Sequence, residues 1–360
     1  MSHHGKVILL PPNRVWRNYD GGRTLDQWAG ATNPTDGPRP EDWIASTTRA
    51  TNPGRESISE GVSQVELSGS KYDFVTLLAS DPDYFLGSSH TARYGQQPQL
   101  LVKFLDPAIR LHLQVHPTAD FAQRFLQSPS GKTEAYHVIS IRDEVSEPVI
   151  YLGFQSPPTR DQLRTWIEHQ AIDAILRSMN RIQVKPGDTY VVPGGVPHAL
   201  GEGIFLVEIQ EPSDLVVRFE FERGGRVLPE KARFMQRGLA FCLDVFDYSP
   251  WTANRISLEA GCTARRRRAL GVDSWQDDLI GPERTPCFRV RQSTIRSAIT
   301  KIEDSSYIAI VTAGRCTLRA GGETHQLGCC DKIFVPAGLG TLEIIPDPAC
   351  TLLECYPPVV

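Results

Sequence analysis

The sequence predicts a mainly β protein built from two β-barrel domains with a few added helices. Proline and glycine, 27 and 29 of 360 residues, are spread along the chain and suit many short strands joined by tight turns. Strand-like runs recur at residues 99–221 and again at 288–356, a spacing typical of sandwiches and barrels. Residues 182–200 and 325–344 share one plan of strand, glycine turn, strand and Val-Pro-x-Gly, which indicates two related barrels.

The second barrel differs from the first in one respect: only the first copy of this shared plan ends in a histidine. We therefore expect a metal-binding catalytic domain at residues 1–248, with helical insertions, and a domain without metal at residues 249–360. The linker would lie around residues 249–286. Helical spacing of apolar residues predicts helices over 159–180 and 229–245, with shorter ones near 72–79 and 118–126.

Composition excludes several classes of protein. The net charge of −4 argues against nucleic acid or membrane partners, and no apolar run approaches the ~20 residues of a membrane span. The N-terminus lacks the pattern of a signal peptide, so we expect a cytoplasmic protein. The run 265–268 of four arginines is interpreted as a solvated surface strand or loop. All eight cysteines lie in the last third of the chain, so a metal bound by the first domain must be held by nitrogen and oxygen.

One segment alternates strictly between polar and apolar residues, from Arg110 to His116. In a strand, successive side chains point to opposite faces. One face would then be apolar, and the other would carry Arg110, His112, Gln114 and His116. Such a strand is either a barrel wall lining a wet pocket or an edge strand with one face in solvent.

Further chemical groups lie on other predicted strands. Lys132 and Glu134 would share a face, and His198 follows a Pro-Gly-Gly turn. Each has a simpler alternative, a surface ion pair or a structural histidine. Asp214 and Arg218 would also share a face, and Glu208 stands between apolar neighbours, so this acid is either paired or functional. Together these pieces offer an amide, two imidazoles and a carboxylate, a set that suits a divalent ion such as zinc.

Four stretches in this order resemble type I mannose-6-phosphate isomerases, which are cupins: QLLVKFLDPAIRLHLQVHP, GKTEAYHVI, IQVKPGDTYVVPGGVPHAL and EPSDLVVRFE. The resemblance is close over residues 99–222 and looser back to RPEDWIAS and forward into the second barrel. It implies jelly-roll (cupin) barrels and one divalent metal, usually zinc. The implied metal ligands are Gln114, His116, Glu134 and His198.

The resemblance also implies a reaction, the interconversion of mannose 6-phosphate and fructose 6-phosphate through an enediol. The family's catalytic arginine falls on Arg218 and its active-site lysine on Lys132, which would orient a hydroxyl or help open the sugar ring. A metal and an arginine stabilise the negative charge that develops on the oxygens at C1 and C2. The general base is expected to be Glu208 or Asp214.

One departure from the family pattern concerns the phosphate. Two residues before the ligand glutamine, the family usually has a serine that helps hold the sugar phosphate, and this chain has His112. As a substrate-binding residue, a histidine cation would still grip phosphate, whereas a neutral imidazole would narrow the pocket or favour another substituent. Three alternatives therefore stay open: an isomerase of an unphosphorylated sugar, a cupin oxygenase, and a non-catalytic sugar-binding or regulatory cupin. The second barrel is expected to be structural or to form a lid, and the sequence predicts no oligomeric state.

Overall fold

The structure is a computed structural model that describes residues 4–52, 54–67 and 69–360. The protein is mainly β, with 37% of residues in strands and 20% in helices, as the sequence predicts. No sheet formed by these described residues closes into a barrel. The prediction of a mainly β protein is therefore confirmed, and the prediction of two barrels is not.

The elements of the first part are, in chain order, β1 (Ile8–Leu9), β2 (Arg14–Val15), α1 (Arg23–Trp28), β3 (Glu41–Ile44), β4 (Gln64–Leu67), β5 (Ser70–Asp73), α2 (Phe74–Ser80), α3 (Pro82–Leu86), α4 (Ser88–Tyr94), β6 (Leu101–Leu105), β7 (Gln114–Val115), α5 (Ala119–Leu126), β8 (Glu134–Ile141), β9 (Val149–Phe154), α6 (Arg160–Glu168), α7 (Ile172–Ser178), β10 (Met179–Gln183), β11 (Thr189–Val192), β12 (His198–Leu200), β13 (Ile204–Gln210), β14 (Val217–Arg218), β15 (Glu222–Arg223) and β16 (Arg226–Val227).

The remaining elements are α8 (Leu239–Cys242), α9 (Ala253–Arg255), β17 (Gly261–Cys262), β18 (Arg265–Gly271), β19 (Ser274–Ile280), β20 (Arg289–Ile295), β21 (Ile299–Ile302), β22 (Tyr307–Ala320), β23 (Glu323–Leu327), β24 (Lys332–Val335) and β25 (Thr341–Tyr356). Short 3₁₀ turns occur at Glu230–Ala232, Leu243–Val245 and Ala337–Leu339, and a π turn at Ile256–Ala260.

Two antiparallel sheets form the first part and carry the candidate site. The larger has the order β17-β11-β8-β13-β6-β3-β2, and the smaller the order β10-β9-β12-β7-β14. Strand β13 lies between β8 and β6, and every one of its residues is buried. A central strand covered on both faces explains why this run is almost continuously apolar, with Glu208 as the charged exception.

A nine-stranded sheet forms most of the second part, with β1-β24-β22-β25-β20-β19-β18 as its main path. Its first strand, β1, comes from the N-terminus of the chain, where Ile8 pairs with Phe334. Conversely, β17 pairs with β11 and so belongs to the larger sheet of the first part. Each part therefore contributes a strand to the other.

A shared core joins the two parts. One buried cluster contains Phe74 and Phe205 from the first part together with Phe334 and Leu353 from the second. The rings of Phe74 and Phe334 meet edge to face, with centroids 5.1 Å apart. Beside this cluster, Lys332 donates to Asp42 at 2.5 Å. Both of these charged side chains are about 95% buried, so the contact between the parts is desolvated.

Several predicted boundaries were wrong. The predicted helix 159–180 is two helices, α6 and α7, because the chain turns at Gln170, whose φ is +49°. The N-terminus of α6 is fixed by a capping box between Thr159 and Gln162. The predicted helix 229–245 contains only short turns and α8, and the predicted linker 249–286 contains β17, β18 and β19.

The arginine run 265–268 lies on the edge strand β18, as the sequence interpretation proposed. Each of its four side chains is paired with a carboxylate, on Glu283, Asp277, Asp278 and Glu303 in turn. All eight cysteines are free thiols. Within the ranges that the structure describes, no helix is long and apolar enough to span a membrane.

Candidate metal centre

Three side chains converge between the two sheets of the first part: one directly follows β7, and the other two begin β8 and β12. The ligand atoms of His116, Glu134 and His198 lie within 4.8 Å of one another, and all three residues are buried. The Nε2 atom of His116 is 3.2 Å from Glu134 Oε2, and that of His198 is 3.1 Å from Glu134 Oε1. One carboxylate therefore faces two imidazole nitrogens across a space of atomic size.

The other ring nitrogens of both histidines are held by the main chain. His116 Nδ1 donates to the carbonyl of Leu215 at 2.8 Å, and His198 Nδ1 donates to that of Val196 at 2.9 Å. These contacts fix the tautomer, since a proton on Nδ1 leaves an Nε2 lone pair facing Glu134. A second hydrogen bond that fixes the tautomer is the usual support of a metal-binding histidine.

Gln114 stands beside the same point. On β7 it pairs with His198 on one side and with Arg218 on the other. Its Nε2 lies 3.2 Å from His198 Nε2, where it meets the ring lone pair. A half-turn of the amide would bring its oxygen to the same place, facing the three converging side chains.

Close backbone packing brings the three sequence motifs together. Gly195 N donates to the carbonyl of His116 at 2.7 Å, and Lys132 N donates to that of Pro117 at 3.0 Å. A Cβ on Gly131 would lie 2.7 Å from the Pro117 oxygen, and one on Gly194 would lie 2.8 Å from it. The two glycines therefore allow both loops to pack against the segment that follows His116, because a side chain at either position would clash with its backbone.

Lys132 reaches into the cluster. Its ammonium donates to Glu134 Oε2 at 2.6 Å and to His116 Nε2 at 2.8 Å. Burial, with the charge of Lys132, lowers the pKa of His116 to about 3, so this imidazole is neutral. Although burial opposes ionisation of Glu134, the charges of Lys132 and the histidines hold its pKa well below the usual range.

The donor set therefore suits a cation. Two imidazole nitrogens and an ionised carboxylate face one another at about 3 Å, an arrangement that a positive charge between them would stabilise. In the described residues, the Lys132 ammonium is the positive charge that meets them. Nitrogen and oxygen donors of this kind, without cysteine, fit zinc and similar borderline divalent ions. The residues present thus fit the metal that the sequence predicts.

Arg218 lies on β14 next to Gln114 and lines the same pocket. Its Nη1 donates to the carbonyl of Ala232 at 3.2 Å, and in the described part of the chain no carboxylate lies within ion-pair distance of it. Burial and the nearby charge of Arg17 lower the pKa of Arg218 to about 10, so the guanidinium stays charged at neutral pH. It is a buried cation available to a ligand.

The two predicted acids differ in their surroundings. Asp214 accepts two hydrogen bonds from the Arg17 guanidinium, at 3.0 and 3.2 Å, and one from Thr51 N at 2.8 Å. Burial alone would raise its pKa, but Arg17 and Lys103 hold it far below the usual range. Glu208 accepts from Lys103 at 2.8 Å, and burial raises its pKa despite that neighbour.

The alternation from Arg110 to His116 holds only in part. His112, Gln114 and His116 line the pocket, but so does Leu111. Arg110 instead forms a double ion pair with Glu220, at 2.6 and 2.7 Å, and lines a separate cavity. The prediction failed at Arg110 because only Gln114–Val115 form a strand here.

His112 is 3% exposed, and its Nε2 has no hydrogen-bond partner among the described residues. Burial and the charges of Arg218 and Arg110 lower the pKa of His112 to about 3. The imidazole is therefore neutral at physiological pH. Of the two states considered from the sequence, a cation that grips phosphate and a neutral ring, the neutral ring is the one present.

Four residues of the pocket wall were missed from the sequence: Arg17, Tyr19, Glu41 and Lys103. Glu41 accepts from Arg17 at 3.0 Å and from Tyr19 at 2.7 Å. Lys103 bridges Glu208 and Gln210, at 2.8 and 2.6 Å. Lys103 had a signal, because it is a charge inside the apolar strand Leu101–Leu105. Arg17 had none, since its partners are distant in sequence.

Comparison with known proteins gives the following relatives. The chain is 30% identical over 254 residues to the mannose-6-phosphate isomerase of Streptococcus mutans, covering 68% of this chain and 72% of that protein. It is 36% identical over 130 residues to the mannose-6-phosphate isomerase ManA of Bacillus subtilis, covering 36% of this chain. That second match spans 39% of the length of the Bacillus protein. No protein-family model matches the chain.

Solved structures show the same fold over almost the whole chain. The crystal structure of mannose 6-phosphate isomerase from Bacillus subtilis superposes with a TM-score of 0.73 at 21% identity, covering 97% of this chain and 99% of that one. A mannose 6-phosphate isomerase bound with zinc and yttrium superposes with a TM-score of 0.70 at 16% identity, covering 98% and 100%. At these identities the likeness concerns the fold.

Proposed function

The chain belongs to the mannose-6-phosphate isomerase family, and on that basis we propose that it is a metal-dependent aldose–ketose isomerase. Its substrates would be mannose 6-phosphate and fructose 6-phosphate, interconverted through an enediol. The single observation that carries the proposal is the buried convergence of His116, Glu134 and His198 beside Arg218, a cation that has no carboxylate partner among the described residues. This combination joins a metal site to a group that stabilises developing negative charge.

The proposed metal ligands are Gln114, His116, Glu134 and His198, and the proposed metal is zinc. When bound, the metal acts as a Lewis acid that stabilises negative charge on the sugar oxygens. For the ion to enter, the Lys132 ammonium must leave its position between Glu134 and His116. Lys132 is then free to donate to a sugar hydroxyl or to the ring oxygen during ring opening.

Arg218 would act on the charge that develops in the reaction. As the proton leaves C2, the oxygens at C1 and C2 gain negative charge, and a guanidinium held in a water-poor pocket donates to them. The burial that lowers the pKa of Arg218 also makes its charge poorly solvated. Its interaction with an anionic transition state is therefore stronger than it would be in water.

Glu208 is the better candidate for the general base. A base must accept a proton and release it again, which requires a pKa near the working pH. Burial raises the pKa of Glu208. Among the described side chains, Glu208 accepts a hydrogen bond from Lys103 only. Asp214 is held by three donated hydrogen bonds and has a strongly lowered pKa, so we assign it to positioning Arg17.

The charge balance of the pocket favours a dianionic substrate. The pocket region carries four cations and four carboxylates: Arg17, Lys103, Lys132 and Arg218, and Glu41, Glu134, Glu208 and Asp214. A bound divalent ion makes the sum +2. A sugar phosphate carries close to −2 at neutral pH, so it would neutralise the pocket.

An assay on two sugars tests the proposal and separates its alternatives. Zinc-loaded protein should convert mannose 6-phosphate, and it should convert free mannose far less efficiently, because the phosphate supplies charge-assisted binding. Equal kcat/KM values on both sugars would favour an isomerase of unphosphorylated sugars. Sugar recovered unchanged would favour a binding or regulatory protein, and oxygen uptake with iron bound would favour the oxygenase.

Three further expectations are kept as proposals. We propose that residues 1–248 and 249–360 form two cupin-type domains, the first of which carries the metal, although β1 and β17 are exchanged between their sheets. We also propose that the second domain supports the first through their shared core. A cytoplasmic location and the absence of nucleic acid and membrane partners stay predictions.

A further inference from the structure

A second pocket adjoins the candidate active site and opens outward from it. Six of the residues that line it are aromatic, polar or cationic: Trp16, Asn18, Thr51, Asn52, Arg218 and Arg226. Asn18 and Arg218 also line the inner pocket that holds the candidate metal centre. The two pockets therefore adjoin, with Asn18 and Arg218 in the wall that they share.

The wall of this outer pocket has a distinctive charge. It includes two arginines, two asparagines and one threonine, and no carboxylate lines it among the described residues. The inner pocket, by contrast, is lined by three carboxylates, and the cavity beside Arg110 is lined by four. Guanidinium and amide donors are the groups that bind phosphate oxygens in proteins, and among the described residues the acid bonded to a cation of this wall is Asp20, on Arg226.

Size also separates the two pockets. The inner cavity has a volume of about 30 Å³ and the outer one about 230 Å³. The inner volume is near that of one water molecule, whereas the outer one has room for several. A six-carbon sugar phosphate is too large for the inner cavity alone, and the outer pocket is an adjoining space with more room.

The outer pocket is held by contacts to the active-site network. Asn52 Nδ2 donates to the carbonyl of Trp16 at 2.8 Å, and Asn52 Oδ1 accepts from Arg17 at 3.4 Å. Thr51 N donates to Asp214 at 2.8 Å, and Asp214 in turn holds Arg17. The same hydrogen bonds therefore position the wall of the outer pocket and the charged wall of the inner pocket.

Resting on the proposed function, we propose that the outer pocket binds the phosphate of the sugar, with Arg218 and Arg226 as its two cations. Arg218, which lines both pockets, then contacts both the phosphate and the reacting part of the sugar, whereas Arg226 contacts the phosphate only. Trp16 and the asparagines form the walls. The proposed phosphate-binding site therefore lies in the outer pocket, whose lining does not include the buried ring of His112.

Arg226 is the group whose role this proposal adds. In the free protein it donates to Asp20 at 2.5 Å, in a half-exposed pair with side chains 34% and 41% exposed. An exposed pair of this kind contributes little to stability, so exchanging one of its bonds for a phosphate costs little. Arg226 lies on the short β15–β16 hairpin, two residues after Gly224, which places it on a surface turn rather than in the core.

The test compares Arg226→Ala with Arg181→Ala in the zinc-loaded protein. Arg181 is a matched control, because it is also an exposed arginine paired with a glutamate, Glu147, at 2.6 Å, but it lines a different cavity. We expect Arg226→Ala to raise KM for mannose 6-phosphate by about 10- to 100-fold, the usual loss of a charged hydrogen bond. Its effect on free mannose should be at least tenfold smaller, and Arg226→Lys should recover part of the loss.

A binding measurement keeps this inference separate from the proposed function. Inorganic phosphate is titrated into each zinc-loaded variant by calorimetry, which needs no turnover. Weaker phosphate binding in Arg226→Ala but not in Arg181→Ala supports the outer pocket as the phosphate site. This holds even if the wild-type protein isomerises no sugar, because absence of turnover would contradict only the proposed function. If Arg226→Ala and Arg181→Ala bind phosphate equally well, and both have the wild-type KM for mannose 6-phosphate, the outer pocket is not the phosphate-binding site.

Discussion

Substitution of Arg218 by alanine separates catalysis from stability. The guanidinium lies beside Gln114, pairs with no carboxylate in the described residues, and is available to an anionic transition state. Removing one such donor from a water-poor site lowers kcat by about 100- to 1000-fold, or ~3–4 kcal/mol. Zinc content should not change, because none of the atoms that converge on the metal position belongs to Arg218.

The same substitution should not weaken the fold. Burial lowers the pKa of Arg218 to about 10, and at ~1.36 kcal/mol for each pKa unit this corresponds to about 3 kcal/mol against the charged form. The group is charged at pH 7 in both the folded and the unfolded chain, so folding bears this cost. Removing the side chain relieves it and loses one hydrogen bond and some packing. The free energy of unfolding should therefore stay within about 1 kcal/mol of wild type.

The assay is steady-state isomerisation of mannose 6-phosphate, with zinc analysis and urea unfolding on the same preparations. Arg218→Lys is the control, since it keeps the charge but not the planar fork of donors, and it should recover part of kcat. Near-normal kcat in Arg218→Ala would refute the assigned role. A large loss of unfolding free energy with a matching loss of zinc would show that the residue acts through structure instead.

Three other predictions concern the metal ligands, the general base and the contact between the two parts. Glu134→Gln should weaken zinc binding more than about 100-fold and abolish turnover, measured by metal analysis after dialysis, with His198→Ala as a second test; full zinc in both would contradict the ligand set. Glu208 must be ionised to accept a proton, and burial raises its pKa above 4.5, so the rate should fall as the pH drops through that raised value. A pH–rate profile whose acid limb survives in Glu208→Gln would exclude Glu208 as the base. Lys332→Ala leaves Asp42 buried without its partner and should lower the free energy of unfolding by about 3–5 kcal/mol, largely recovered when Asp42→Asn is added. If thermal unfolding of Lys332→Ala matches wild type, the contact between the two parts contributes little.

The parts of the site that sequence reasoning placed together are those with strong local constraints. Gly131 and Gly194 belong to short motifs whose loops can be seated only by close backbone contact with the segment after His116. Such motifs fix their own conformation over a few residues, so the convergence of His116, Glu134 and His198 was predictable. The strand β13 was predictable for a similar reason, because its apolar run is continuous.

The parts that were missed depend on contacts between residues far apart in the chain. Arg17 meets Asp214 across 197 positions, and Lys332 meets Asp42 across 290. Neither pairing leaves a periodic pattern in the sequence. The exchange of β1 into the distant sheet has the same origin, because a strand of two residues carries too little pattern to show its partner.

Periodicity misled where tertiary contacts override it. The polar spacing from Arg110 to His116 predicts one continuous strand face, but Arg110 is drawn to Glu220 in a buried double ion pair. Once a buried guanidinium must find a carboxylate, that pairing outweighs the local preference for alternation. The helix predicted over 159–180 was interrupted for a different reason, a left-handed residue at Gln170.

The central claim is that the chain isomerises a sugar phosphate at a metal held by Gln114, His116, Glu134 and His198. The most direct measurement is an NMR time course of mannose 6-phosphate in heavy water, with chelator-stripped protein before and after zinc is restored. The account predicts no reaction in the stripped protein, and fructose 6-phosphate with deuterium exchanged at the reacting carbons after zinc is added. Mannose 6-phosphate that stays unchanged and undeuterated in protein with zinc fully bound would contradict it.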